Sequence, residues 1–150
     1  MILTPFFVWL WDNWKKQPSA AGKFAAGLVF AGLSYMWMAL PGMFYGTNGR
    51  VSPFWLVGSW FIVEIAEMLI SPIGLSVTTR LAPKAFRSQM MSLWFLADAT
   101  GQAINSQIVK YYSSKTEVAY FLAVGIVSVL FGVVMFFFTK KIHNLMADAE

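Results

Sequence analysis

VAYFLAVGIVSVLFGVVMFFFT, Val118 to Thr139, runs for twenty-two residues without a charged side chain. As an α-helix rising about 1.5 Å per residue it would reach about 33 Å, enough to cross roughly 30 Å of hydrocarbon. FAAGLVFAGLSYMWMALPGM, Phe24 to Met43, repeats the pattern over twenty residues. Phe54 to Thr79 and Ser88 to Val109 also have spanning length, although the first holds Glu64 and Glu67 and the second holds Asp98. The expected fold class is an all-α membrane protein with spans at about 22–43, 54–79, 86–110 and 118–140.

The composition agrees. Of 150 residues 58% are hydrophobic, 17% aromatic and only 12% charged, against about 25% charged in soluble domains. A net charge of +4 does not indicate nucleic acid as a partner, because the Lys and Arg residues sit in short clusters between apolar runs and not on one solvated face. The lipid bilayer is the expected surrounding. There are no cysteines, which excludes disulfides and thiolate metal sites. No nucleophile triad, metal-ligand cluster or glycine-rich phosphate loop stands in the sequence, so neither an enzyme nor a metal site is expected.

At the N-terminus, Met1 to Trp11 is uncharged but would span only about 16 Å. No positive residue precedes it and no small-residue cleavage site follows, unlike a signal peptide. The expectation is that residues 1–14 are the truncated end of a transmembrane helix, with the chain a piece of a longer protein.

Lys and Arg favour cytoplasmic loops. Placing the loop after this half-span inside collects Lys15, Lys16, Lys23, Arg80, Lys84, Arg87, Lys140 and Lys141 on the cytoplasmic side, and leaves Arg50, Lys110 and Lys115 outside. Eight against three puts the C-terminus, expected as a short tail after residue 140, in the cytoplasm. Gly22 with Ala26, Gly27 with Ala31, and the stripe Gly125, Ser128 and Gly132 recur at helix-packing intervals. Small residues of this kind let backbones approach closely in lipid. Trp9, Trp11, Trp14, Trp55, Tyr111, Tyr112 and Tyr120 fall near expected span ends, as interfacial aromatic belts do.

The polar residues inside the third and fourth spans are the functional signal. An ionised carboxylate near the bilayer centre costs about 2.5–3.5 kcal/mol on insertion scales, so it pairs, lines a wet cavity or takes up a proton. Glu64, Glu67 and Ser71 follow i, i+3, i+7, one helical face. Trp94, Asp98, Gly101 and Asn105 follow i, i+4, i+7, i+11 on the next helix. Counted inward from their shared turn, Glu67 lies twelve residues from Thr79, and Thr100 lies twelve from Ser88. Glu67, Asp98 and Gly101 are thus expected at similar depth. Pro72 lacks the amide hydrogen a helix would direct at the carbonyl of Met68, and Gly74 loosens the same turn, so a bent or interrupted helix is expected there. Such helices often frame substrate sites in secondary transporters.

AEMLISPIGLSVTTRLAPKAFRSQMMSLWFLADATGQAINSQI, Ala66 to Ile108, closely resembles the proton-dependent oligopeptide transporter family of the major facilitator superfamily. The likeness is carried by E-x-x-x-S-P-x-G-L-S, the following L-A-P and M-M-S-x-W-F-L, and it extends over TPFFVWLW and KKQPSAAGKFAAGL. It implies a helical bundle of two six-helix halves, of which this chain corresponds to the end of the eighth helix and helices nine to twelve. It also implies proton-coupled symport of di- and tripeptides across the plasma membrane, with protons as the coupling ion and no other cofactor. By motif position Glu67 matches the glutamate implicated in binding the peptide amino terminus, Ser71 the serine beside it, and Trp94 the tryptophan lining the pocket. Pro72 and Gly74 are the expected gating or bending positions, and Glu64, Asp98 and Asn105 possible polar support.

The family's E-x-x-E-R motif, a fourth-helix lysine and a seventh-helix glutamate belong to the missing N-terminal part, the expected partner. The isolated chain is therefore not expected to transport. The alternatives are a truncated non-transporting membrane protein from a split or degraded gene, or a related facilitator for nitrate, amino acids or another small solute.

Overall fold

The computed structural model describes residues 5, 9, 13, 19–46, 50–113 and 115–147. Among them lie four α-helices: α1 (Ala20–Tyr45), α2 (Phe54–Leu81), α3 (Arg87–Ile108) and α4 (Glu117–Ala147). The 3-10 turns Lys84–Phe86 and Val109–Tyr111 adjoin the two ends of α3. Apart from positions 5, 9 and 13, the expected half-span over 1–14 lies outside the described residues.

Among the described residues three helices are long and apolar enough to cross a membrane, over Ala20–Tyr45, Phe54–Arg80 and Glu117–Thr139. The expectation was four. α3 has 22 residues, but Gln89, Asp98, Gln102, Asn105 and Gln107 make it too polar to qualify on hydropathy. At the other extreme, α4 continues past the expected end near residue 140 to Ala147. KKIHNLMA contains no glycine or proline to stop it. α1 is capped at its start by Ser19, whose hydroxyl accepts a hydrogen bond from the Gly22 amide at 3.2 Å. It ends at Gly46, where φ is +71°, a left-handed conformation that glycine adopts without a Cβ penalty.

α1 is the element the bundle shares, packing antiparallel against α2 on one side and α4 on the other. Toward α4 the seam is made of backbone. A Cβ on Gly32 would lie 2.6 Å from the Gly125 carbonyl oxygen, and one on Gly125 would lie 2.9 Å from the Gly32 carbonyl oxygen. One turn on, Ser128 Oγ donates to the Leu28 carbonyl at 3.1 Å, and a turn further a Cβ on Gly132 would lie 3.0 Å from the Ala25 carbonyl oxygen. The stripe Gly125, Ser128 and Gly132 is therefore the α4 side of this contact.

Toward α2, Gly27 sits under Ile70 and the Ala66 carbonyl. Ser34 and Ser59 meet at 2.9 Å between hydroxyls, and both are buried. At the far end the Trp37 indole donates to the Trp55 carbonyl at 3.1 Å. The core is correspondingly small in volume: Ala21, Ala25, Ala39, Ala66 and Ala82 are its buried apolar residues. Lipid supplies no hydrophobic drive between helices, so close van der Waals approach does the joining.

α3 is attached differently. None of its residues is buried, and it is held by aromatic contacts near its ends. Near its start, the Trp94 ring meets Phe24 of α1 edge-on at 6.4 Å. After its end, Tyr112 meets Tyr120 and Phe121 edge-on, with ring centroids 5.5 Å and 5.8 Å away, and Phe121 lies 6.4 Å from Tyr35. Burial, followed by the charge and hydrogen bond of Glu117, pushes the Tyr112 phenol above its ordinary value.

Gly32→Leu is expected to destabilise the bundle by about 1–3 kcal/mol through overpacking, and Ser34→Ala by only about 0.6 kcal/mol. Denaturant titration in micelles measures both, and the order decides whether backbone approach or hydroxyl pairing holds α1. For Tyr112 the neutral phenol is favoured in the folded state, so its contribution is complete below about pH 10 and fades as pH rises through the raised value. Tyr112→Phe should remove that part of the alkaline loss in a pH series of melting curves.

Candidate functional site

α2 runs unbroken through Pro72 from Phe54 to Leu81. Of the expected bend or interruption, an interruption is absent, because one proline removes one donor and the helix continues on either side. In the following turns Thr78 Oγ1 donates to the Gly74 carbonyl at 2.7 Å and Thr79 Oγ1 to the Leu75 carbonyl at 3.0 Å. Such back-bonds satisfy hydroxyls within a helix surrounded by lipid and protein.

Between α2 and α3, closed behind by α1, lies a cleft of about 850 Å³. Its polar lining is Glu67, Ser71, Asp98 and Gln102, and its aromatic lining is Phe24, Trp94 and Phe95. Pro72 borders it too, with Val63, Ala66, Ile70 and Leu75 forming the apolar floor on α2. The volume lies in the usual range for small-molecule sites, and a mostly apolar wall with a few polar groups is the arrangement such sites share. Two carboxylates, a hydroxyl and a primary amide at this wall suit a ligand carrying positive charge and hydrogen-bonding groups.

The four residues Glu67, Ser71, Trp94 and Asp98, drawn from two sequence stripes, thus share one cavity. Others stand apart. Glu64 is half-buried, engaged in an interaction of its own, and absent from the lining, so the two glutamates one turn apart have different surroundings. Asn105 is exposed and outside the cleft, and a Cβ on Gly101 would meet nothing within 4 Å. Helical periodicity fixes the direction a residue faces, whereas the reach of the cleft along α3 depends on where α2 approaches it. That approach is at Gly74, which is buried directly against the Trp94 indole.

Beyond its aliphatic residues and alanines, the lining includes Phe24, Phe95 and Gln102, which the sequence reading did not single out. Phe24 arrives from α1, which no reading of the α2 and α3 stripes could supply. Phe95 and Gln102 flank the α3 stripe, and the spacing of Gln102 four residues after Asp98 was the available signal. Among the described residues no three His, Cys, Asp or Glu side chains gather in a way that could hold a metal ion.

The family model described as the POT family matches residues 1–129. The chain belongs to the POT family. It is 47% identical over 151 aligned positions to the di-/tripeptide transporter of Lactococcus lactis, covering 100% of this chain and 30% of that protein. A crystal structure of a mutant of the peptide transporter POT in complex with alafosfalin superposes with a TM-score of 0.90 at 47% identity, covering 97% of this chain and 30% of that one. A crystal structure of a POT family transporter in complex with 5-aminolevulinic acid gives 0.87 at 39% identity, over 94% and 29%. The chain therefore spans about 30% of the length of the relatives it matches, and it is a multi-pass membrane protein of a peptide transporter family.

The protein contains no cysteine, so single cysteines report on the cleft without background. Cysteines introduced at Ser71 and Gln102 should react with a small hydrophilic maleimide in micelles, while cysteines at the buried positions Ser34 and Ala25, away from the cleft, should stay protected. Labelling at residues 71 and 102 as slow as at the two buried positions would mean that the cleft is not open to water.

Proposed function

We propose that this chain is the C-terminal portion of a proton-coupled symporter of di- and tripeptides, supplying the peptide site's amino-terminal half. The observation that carries the reading is the shared lining of one cleft by Glu67, Ser71 and Trp94. Glu67 stands midway along α2 and is exposed at the cleft, where its carboxylate can form a charge-assisted hydrogen bond with an ammonium group. Ser71, one turn on, accepts or donates a hydrogen bond to the backbone of the bound peptide, and Trp94 with Phe24 forms an apolar wall for a side chain. Asp98 and Gln102 complete the polar side, with Glu64 and Asn105 as support outside it.

Related proteins support the choice of ligand end. The L. lactis relative is named a di-/tripeptide transporter, and a POT family transporter has been crystallised with 5-aminolevulinic acid. That molecule carries a free amino group and a carboxylate without a peptide bond, so the feature it shares with a peptide is the charged terminus, which Glu67 suits.

Assignment to helices nine to twelve rests on the E-x-x-x-S-P-x-G-L-S stretch from Glu67 to Ser76. The charge asymmetry of the loops supports a plasma-membrane orientation with the C-terminus in the cytoplasm. Proton coupling would require carboxylates and a lysine from the remainder of the transporter, so the chain alone is read as non-transporting. Pro72 provides a position where α2 yields as access alternates.

In the complete transporter Glu67→Gln should weaken binding of a dipeptide by roughly 10- to 100-fold, the worth of a hydrogen bond to a charged group. An N-acetylated dipeptide should bind wild type and variant alike. Equilibrium binding of the two ligands checks both, and unchanged dipeptide affinity would remove Glu67 from its assigned role. The chain expressed alone should give no proton-driven uptake in vesicles, and uptake by it would overturn the requirement for the remaining helices.

A further inference from the structure

Gly74 is buried on α2, and the space a side chain would need is taken by the Trp94 indole. A Cβ at residue 74 would fall against Cη2 of that ring and 2.6 Å from both Cζ2 and Cζ3. Neighbours of this kind usually yield when they are the tips of flexible chains. An indole is rigid, so it could escape only by turning about its χ angles or by carrying α3 with it.

Trp94 has a cavity on either side. It lines the 850 Å³ cleft, and it also lines a second, apolar cavity of about 210 Å³ bounded by Ala20, Ala21, Ile73, Val77 and Met135. Phe24, which meets the Trp94 ring edge-on, borders both as well. The indole is therefore a partition between the cleft and the smaller space behind it. Because no residue of α3 is buried, little other packing fixes where this partition stands.

We propose that Gly74 is a positioning residue for Trp94: by having no side chain it seats the indole as the apolar wall of the cleft, and so sets selectivity for peptides with large apolar side chains. This rests on the reading of Trp94 as part of the peptide site. In Gly74→Ala the ring is displaced into the cleft or into the smaller cavity, and in either case the wall is lost to an aromatic side chain. A small side chain, which does not reach the wall, is unaffected. Gly74 thereby acts on binding through Trp94 and not through the bending of α2.

The test uses the complete transporter, with equilibrium binding of dialanine and alanylphenylalanine to wild type, Gly74→Ala, Trp94→Leu and the double variant. Fluorotryptophan labelling, with the residue 94 resonance identified by its loss in Trp94→Leu, reports the ring directly. The expected result is a loss of alanylphenylalanine affinity in Gly74→Ala of roughly 3- to 10-fold, the worth of an aromatic contact. Dialanine binding stays unchanged, the residue 94 resonance shifts, and the glycine change has no further effect once Trp94 is leucine.

If Trp94→Leu weakens alanylphenylalanine but Gly74→Ala does not, the inference fails and the wall reading stands. If Trp94→Leu leaves both peptides unaffected, both fail. A loss that is equal for the two peptides, or that persists in the double variant, also overturns the inference, because it marks a packing defect in α2. Should Gly74→Ala not accumulate, adding Trp94→Phe makes room with a smaller ring. Recovery of folded protein with alanylphenylalanine affinity near that of Trp94→Phe alone supports the seat, and failure to recover overturns it.

Discussion

Gly32 and Gly125 each leave room for the other's carbonyl oxygen, and the rest of the bundle depends on that mutual approach. In water, helices join because burying apolar surface is favourable; in lipid the surroundings are as apolar as the side chains, and only contact, hydrogen bonding and the volume freed for lipid remain. A glycine at the crossing brings two backbones close enough for many weak dispersion contacts to accumulate. With α4 fixed on one side of α1 by Gly32, Gly125 and Gly132, the opposite side is free to take α2 through Gly27 and the Ser34–Ser59 pair. α1, α2 and α4 form a unit whose core is alanine, glycine and serine.

The cleft follows from what this unit leaves out. α3 is too polar to be drawn into the same packing, and it makes contact through Trp94 near one end and through the aromatic cluster around Tyr112 beyond the other. Between those attachments the polar residues of α2 and α3 border open volume. Carboxylates at this depth avoid lipid by lining a cavity, and a cavity lined in this way is what a transporter of charged solutes needs. The same polarity that keeps α3 from packing tightly gives the site its chemistry.

Much of the fold was legible because lipid imposes a simple rule: long uncharged runs become helices. Val118 to Thr139 and Phe24 to Met43 both lie within observed helices. The rule weakens at α3, where a polar helix of spanning length cannot be ranked by hydropathy, and at the end of α4, where loss of apolarity does not stop a helix that lacks glycine and proline. Part of the site was legible by periodicity, since Glu67 with Ser71 and Trp94 with Asp98 each face one way. Pro72 does not interrupt α2, because a helix that lacks a single donor keeps its bonds on either side.

The sequence by itself determined that this is a helical membrane protein, which residues are polar at mid-span, and, through its motif from Glu67 to Ser76, its likeness to a peptide transporter family. Only the tertiary structure decided that Glu67 lines the cleft while Glu64 is half-buried outside it, that Phe24 of α1 closes the cleft, and that Gly74 receives an indole. Periodicity reports the direction of a side chain around one helix axis. It carries no information on the distance to the next axis, and that distance is set by where small residues allow two backbones to meet.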